Sequence, residues 1–451
     1  MKKLFLLVLL GSALAMGCSK ILTQTPQDYL DATTAFTTGP AINAGMLGVY
    51  NTFQNASYYG TDFTLLCDLE AGNTVHTGSY PQYEQVADRA ITPDNVTTAG
   101  IWNQIYAGIN RANTVIYSAP LITTGGFDSL PALGEAKFLR AFMYFDLMRY
   151  WGGTPSGYSN PNGQGVPLVL TPTFTTGEAA PHARSSAGDV FNQILSDVNY
   201  AITNIPSTNN FGQANTMTAI ALKARVELYL GNYDSAAADA EQVITALGGL
   251  TNGYPTVFAT KNVQPESIFE LQFSATNTNG LYFYYFGRDE VATNTTLQAA
   301  YQPQDTRLPI NFYVGTDASG NSVNATQKYD DPDGSQDISL IRLAEMYLIH
   351  AEGVMRGSNP NLATAESDLN IVRARSLETP DVTTDPNQLL TDILNENRLE
   401  FPGEAHYWFD LRRLGLPVAM FGITDSTKVL WPIPQTEVLT SGGVITQNPG
   451  Y

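Results

Sequence analysis

Residues 133–155, LGEAKFLRAFMYFDLMRYWGGTP, restrict the fold more than any other stretch of the chain. Phe138, Leu139, Phe142, Met143, Phe145, Leu147, Tyr150 and Trp151 recur at helical spacing on more than one stripe, so the helix they form has neighbours on several sides. Such a helix is buried. Gly152, Gly153 and Pro155 then stop it abruptly. Its polar residues are few, and Arg140 and Asp146 need partners if they go inside, because an unpaired interior charge is costly. Nothing in the segment looks catalytic.

Residues 1–17 open with Lys2 and Lys3, continue with an apolar run over 4–10 and end in small residues before Cys18. The run is too short to cross a bilayer, so it reads as a secretory signal. Its ending, Leu14-Ala15-Met16-Gly17-Cys18, resembles a bacterial lipoprotein signal, in which the cysteine is lipidated and becomes the mature first residue; Ala15 stands where leucine is commoner. With Cys18 lipidated, Cys67 has no intramolecular partner, and no disulfide framework is available. Stability must come from an apolar core, which 43% hydrophobic and 11% aromatic content can supply. Removing the signal leaves 21 basic against 42 acidic side chains. That balance excludes nucleic acid as a partner and charge-driven binding to anionic lipid, and it suits a soluble body on a lipid anchor.

Helices are predicted at about 39–54, 101–117, 187–205, 217–230, 235–247, 341–355, 363–375 and 390–399 from their apolar faces. The pair spanning 217–247 turns at Gly231-Asn232-Tyr233-Asp234 and resembles a tetratricopeptide unit, with Tyr229, Gly231, Tyr233 and Ala236 in that repeat's large, turn, aromatic and small positions. Residues 341–375 look like another pair, which makes a helical-repeat scaffold. Two segments differ in kind. Residues 57–99, rich in Gly, Tyr, Asn, Thr and Asp, read as a long functional loop. Residues 251–337 read as a loop-rich, ligand-accessible region with strand-like runs at 268–273 and 281–286; a further strand-like run occupies 166–170.

Catalytic constellations are thin. The chain has no HExxH, GxSxG, GxxxxGKS/T or CxxC, and His76, His182, His350 and His406 lie far apart. No particular pair among the 42 acids stands out for glycoside hydrolysis. Asp331, Asp333 and Asp337 with Gly334 faintly resemble a calcium loop, but the ligand order is not that of an EF-hand, and a solvated acidic turn is the default. No other cofactor is expected.

An ordered series of motifs runs through nearly the whole mature chain. It comprises Trp102, Tyr106 and Ile109-Asn110-Arg111-Ala112-Asn113, then Glu135 to Ala141 and Tyr144-Phe145-Asp146-Leu147. Ala224-Arg225-Val226, Tyr229-Leu230-Gly231, Asp305, Arg307, Ile341-Arg342-Leu343-Ala344-Glu345 and Ala351-Glu352 follow. Asn395-Glu396, Arg398, Glu400, His406, Trp408 to Arg413, Pro432-Ile433-Pro434 and Gln447 to Tyr451 close it. The series resembles the SusD/RagB family, outer-membrane lipoproteins that capture nutrients, mostly glycans, for a TonB-dependent transporter. Tyr407, where the family often has arginine, and Pro402 are small departures.

The resemblance implies a mainly α fold of about four tetratricopeptide-like helical pairs, with a loop-rich ligand-binding region and a few short strands. It implies a signal peptide at 1–17 and one domain at 18–451, divided into an N-terminal helical half at 18–250 and a C-terminal half at 251–451. Arg140, Asp146, Arg342, Glu345 and Asp410 then become buried paired charges rather than active-site residues. The implied function is non-catalytic: a glycan is bound at the cell surface and delivered to a SusC-like barrel. Peptide capture, as in the RagB branch, and a surface glycoside hydrolase are the alternatives.

Sugars lay their C–H faces on aromatic rings while their hydroxyls bond fixed polar groups. Trp102, Trp151, Trp408 and Trp431 all fall in the family's structural motifs and are assigned to the core, which leaves tyrosine. The expected ligand residues are Tyr282, Tyr284 and Tyr285, alternating as in an extended segment, with Asn73, His76, Tyr80 and Tyr83 from the early loop and Tyr313.

Overall fold

A computed structural model describes residues 35–451 apart from 124, 318 and 378; the signal segment and Cys18 lie outside the described residues. The helices used below are α1 (Gly39–Gln54), α2 (Asp62–Ala71), α3 (Pro81–Ala87), α4 (Val96–Ser118), α5 (Ser129–Trp151) and α6 (Ala187–Asn204). They continue as α7 (Thr216–Leu230), α8 (Tyr233–Leu247), α9 (Leu343–Arg356), α10 (Leu362–Ala374), α11 (Pro386–Glu400) and α12 (Tyr407–Arg413). From α4 to α10 each helix packs on the next, so the hairpins stack into a ladder, and α1 leans on α4 and α5.

Helix α5 lies inside this ladder. Every residue from Phe138 to Trp151 is buried, and the charges that go inside find partners. Arg140 donates to Asp197 of α6 through Nε (2.8 Å) and to Asn113 of α4 through Nη1 (2.7 Å). Asp146 accepts from Arg149 and from the hydroxyl of Tyr58. The α7–α8 turn is closed by Gly231 at φ +79°, a left-handed conformation that disfavours a side chain. Glycine also permits close helix contact: a Cβ on Gly353 of α9 would stand 2.9 Å from that of Ala237 on α8.

Between α8 and α9 the chain leaves the ladder and returns through a strand pair. The strands are β1 (Thr74–His76), β2 (Gln164–Pro167), β3 (Arg184–Ser186), β4 (Ser267–Leu271), β5 (Val291–Thr293), β6 (Tyr313–Thr316), β7 (Ser322–Ala325) and β8 (Ile338–Arg342). They form four antiparallel pairs, β1–β5, β2–β3, β4–β8 and β6–β7. The β4–β8 pair closes the excursion at its base.

An ionic cluster welds this excursion to the C-terminal helices. Arg342 bonds Glu266 (2.7 Å), Glu400 (3.0 Å) and Glu404 (2.6 Å), Arg307 bonds Asp305 (2.8 Å) and Glu396, and Lys328 bonds Glu404 (2.6 Å). Glu345 holds Arg225, and Asp410 holds Arg413. All five charges assigned to buried pairs are therefore paired inside. All four tryptophans are buried as well.

Two expectations fail. Residues 57–99 are not a loop, because they contain α2, β1 and α3. From Phe63 to Ala71 every residue of α2 is buried, so no polar stripe marks it as a helix. Residues 281–286 are not extended either. Residues 283–287 make a single π-helical turn, and ring partners lie four positions apart instead of two. Among the described residues no helix is long and apolar enough to cross a membrane.

Candidate functional site

The β1–β5 pairing, with His76 opposite Val291, lays the segment after β1 beside the π-helical turn. One buried carboxylate organises the junction. Glu290 accepts from the amide of Tyr80 (2.6 Å) and Nε of Arg288 (2.8 Å), and its Oε1 lies 3.0 Å from Nε2 of His76. The amides of Thr77 and Gly78 donate to its carbonyl (3.1 and 3.2 Å). Burial works against charge on Glu290, but Arg288, the Tyr80 amide and His76 hold its carboxyl below the ordinary glutamate range. Gly78 is needed there, since a Cβ would stand 2.3 Å from the carboxylate.

Rings gather round this carboxylate. The Arg288 guanidinium lies 3.9 Å over the ring of Tyr80, and its Nη2 donates to Ser79 (3.1 Å). Tyr284 stacks on Tyr83 at 5.6 Å and stands 6.3 Å from Tyr80, with Phe283 edge-on to it at 5.8 Å. Tyr83 itself is buried and donates its hydroxyl to Asp62 (2.5 Å). Burial pushes the Asp62 carboxyl up to about 6, with the Tyr83 bond opposing. A second, separate group lies along the same segment, where Tyr282 stacks on Phe286 at 5.0 Å and Phe286 lies 6.3 Å from Tyr313; residues two apart on a helical turn do not share a face. Tyr80, Tyr282, Tyr284 and Tyr313 are half-buried and Phe283 is exposed, so their ring faces and edges can reach a ligand.

The structure thus brings together His76, Tyr80, Tyr83 and Tyr284 round Glu290, with Tyr83 as a floor, and separately joins Tyr282 to Tyr313 through Phe286. Two other residues expected there turn inward. Asn73 is buried, accepting from Arg398 Nε (2.9 Å) and donating to Asp68 (3.1 Å), and Tyr285 is buried in the core. Phe283, Arg288 and Glu290 are not among the expected ligand residues, because no motif marks them. His76 also lines a cleft of about 700 Å³ with Arg89 and Arg398.

The acidic turn is no cation cage. Asp331 accepts from the amide (3.0 Å) and hydroxyl (2.7 Å) of Ser335, whereas Asp337 accepts from the amides of Val263 (3.1 Å) and Phe273 (2.8 Å). Asp331, Asp333 and Asp337 do not converge, and among the described residues no three His, Cys, Asp or Glu side chains are placed to hold a metal.

Two family models match this chain. One, the SusD family, covers residues 287–426; the other, described as starch-binding associating with outer membrane, covers residues 26–228. The chain belongs to the SusD/RagB family. SusD-like protein P38 of Formosa agariphila is 24% identical over 95% of this chain and 94% of its own. A SusD superfamily protein from Bacteroides vulgatus superposes with a TM-score of 0.79 at 22% identity, over 92% of this chain and all of that one. A laminarin-binding SusD-like protein superposes with a TM-score of 0.75, also at 22% identity and over 92% of this chain and 100% of its own. The helical ladder is therefore the SusD fold, as the motif series implied.

Proposed function

We propose that this SusD-family protein is a non-catalytic, lipid-anchored glycan-binding protein that presents an oligosaccharide to a SusC-like TonB-dependent transporter at the outer membrane. The observation that supports the reading is the ring group round Glu290, with Tyr80 beneath Arg288, Tyr284 half-buried and Phe283 exposed, and a second accessible pair, Tyr282 and Tyr313, farther along the same region. Each stacked ring face contributes on the order of 1 kcal/mol, so two accessible ring groups can each hold a sugar unit. Arg288 and His76 supply polar groups whose positions Glu290 sets. A basic peptide, the ligand that an acidic chain would otherwise favour, would find the central carboxylate, Glu290, already taken by Arg288, His76 and the Tyr80 amide. The platform therefore suits sugar better.

The test is affinity electrophoresis against starch, laminarin and other polysaccharides, followed by calorimetry on Tyr80→Ala, Tyr282→Ala and Tyr284→Ala. Each substitution should weaken binding about five- to tenfold, in line with one lost ring face. Unchanged affinity in all three rejects the platform. Mass spectrometry of the incubated glycan should recover it uncut, and detergent-solubilised protein should co-purify with a barrel partner.

A further inference from the structure

Another cavity, of about 590 Å³, lies away from the platform. It sits between α1, residues 210–213 leading into α7, and the end of β4. Charged residues make up 14% of the chain, yet among the described residues none lines this space. Its walls carry the side-chain amides of Asn51, Gln54, Asn210, Gln213 and Gln272 around Phe211. Phe211 and Leu47, at the rim, are 43% and 59% exposed.

The amides hold one another in place. Asn51 Nδ2 donates to Gln54 Oε1 (3.1 Å), Gln54 donates to the carbonyl of Gln272, and Asn210 Nδ2 donates to Gln213 Oε1 (2.7 Å). A carboxamide has two donor hydrogens and two acceptor lone pairs, so these bonds leave capacity over on Asn51, Gln213 and Gln272. Gly212, at φ +77°, brings its backbone against Gln272, whose Oε1 would stand 2.8 Å from a Cβ there. The nearest charges are outside the lining, the half-buried Glu135 and the exposed Arg111. Glu135 takes the hydroxyl of Tyr50 (2.6 Å), and Arg111 reaches the carbonyl of Gly48 from α4.

An exposed ring beside paired donors and acceptors matches a pyranose, whose C–H face stacks while neighbouring hydroxyls bond an amide. A carboxylated or sulfated sugar would find no cation in the lining to compensate its lost hydration. We infer that this cavity is a second carbohydrate subsite on the chain, built for a neutral sugar unit. It goes beyond the platform reading, and its test is separable from that reading.

Phe211→Trp places an indole at the mouth, and because the four native tryptophans are buried, a ligand-induced fluorescence change reports this cavity. The probes are amylopectin, laminarin and galactomannan, with alginate and chondroitin sulfate as charged counterparts. At least one neutral polymer should give a saturable shift that survives Tyr80→Ala with Tyr284→Ala, and neither charged polymer should. Phe211→Ala should weaken that polymer's binding by up to about tenfold, as loss of a ring face does. No shift with any neutral polymer overturns the inference, and the platform reading stands alone if those polymers still bind and respond to Tyr80→Ala. An equal shift with a charged polymer overturns it too. A neutral-polymer shift together with unchanged calorimetric affinity in Tyr80→Ala, Tyr282→Ala and Tyr284→Ala keeps this subsite and rejects the platform.

Discussion

Glu400 is the hinge of the buried ionic cluster, and Glu400→Gln removes its charge while keeping its shape. Its carboxylate bonds Arg342 (3.0 Å), Arg307 (3.5 Å) and Arg375, so three guanidiniums depend on it. Breaking a buried ion pair costs about 3–5 kcal/mol, because the remaining charge stays desolvated. Arg342 still has Glu266 and Glu404, and Arg307 still has Asp305 and Glu396, which puts the expected loss at the lower end, about 3 kcal/mol. With a urea dependence of about 3 kcal/mol per molar, the midpoint should fall by about 1 M at neutral pH. Burial raises the cost of charge on Glu400, yet Arg375, Arg342 and Arg307 outweigh it and hold the carboxyl below the ordinary range. A depressed folded-state pKa stabilises above the unfolded value, about 4.3, and the contribution is lost as the pH falls through the folded value. The gap between wild type and variant should therefore be full at neutral pH and close below about pH 4. Urea titrations followed by circular dichroism measure both. Coincident midpoints at neutral pH, or a gap that does not narrow in acid, would refute the reasoning.

Gly78→Ala should push the Glu290 carboxylate aside, since its Cβ would stand 2.3 Å away, and weaken glycan binding severalfold with little change in thermal midpoint; calorimetry and a thermal scan separate the two. Glu70 is a buried acid bonded by Trp431 Nε1 (2.8 Å), and burial pushes its pKa up to about 8 against that bond. The folded state then keeps a proton that the unfolded chain releases, so stability declines as pH rises through this window, by at most about 1.4 kcal/mol per unit. Glu70→Gln should match wild type near about pH 4 and exceed it above about pH 8 in denaturant midpoint. Cys18→Ala should abolish fatty-acid labelling and release the protein from the membrane fraction, and equal labelling in the variant would sink the anchor assignment.

The helices were legible in the sequence because their signals are local. A 3.6-residue period, a capping glycine and an apolar run each depend on neighbours within a few positions, which is why α5 and the α7–α8 hairpin could be assigned from the chain itself, whereas the tryptophans were placed in the core by the family resemblance. Helix α2 escaped for the opposite reason. Buried on every side, it has no polar stripe for a period to reveal. The platform was half legible: the tyrosines are conspicuous, but Leu281 to Phe286 is apolar or aromatic at every position, so its pattern fits any period. The turn is decided by bonds made in space, such as Gly280 N donating to the Gly60 carbonyl (2.9 Å) and Glu290 N to that of Tyr284 (2.9 Å). His76 and Glu290 meet across 214 positions of sequence. Which ring faces solvent, and which carboxylate aims it, follows from surfaces that touch only after the chain has closed on itself. Spacing along the chain carries no record of that contact.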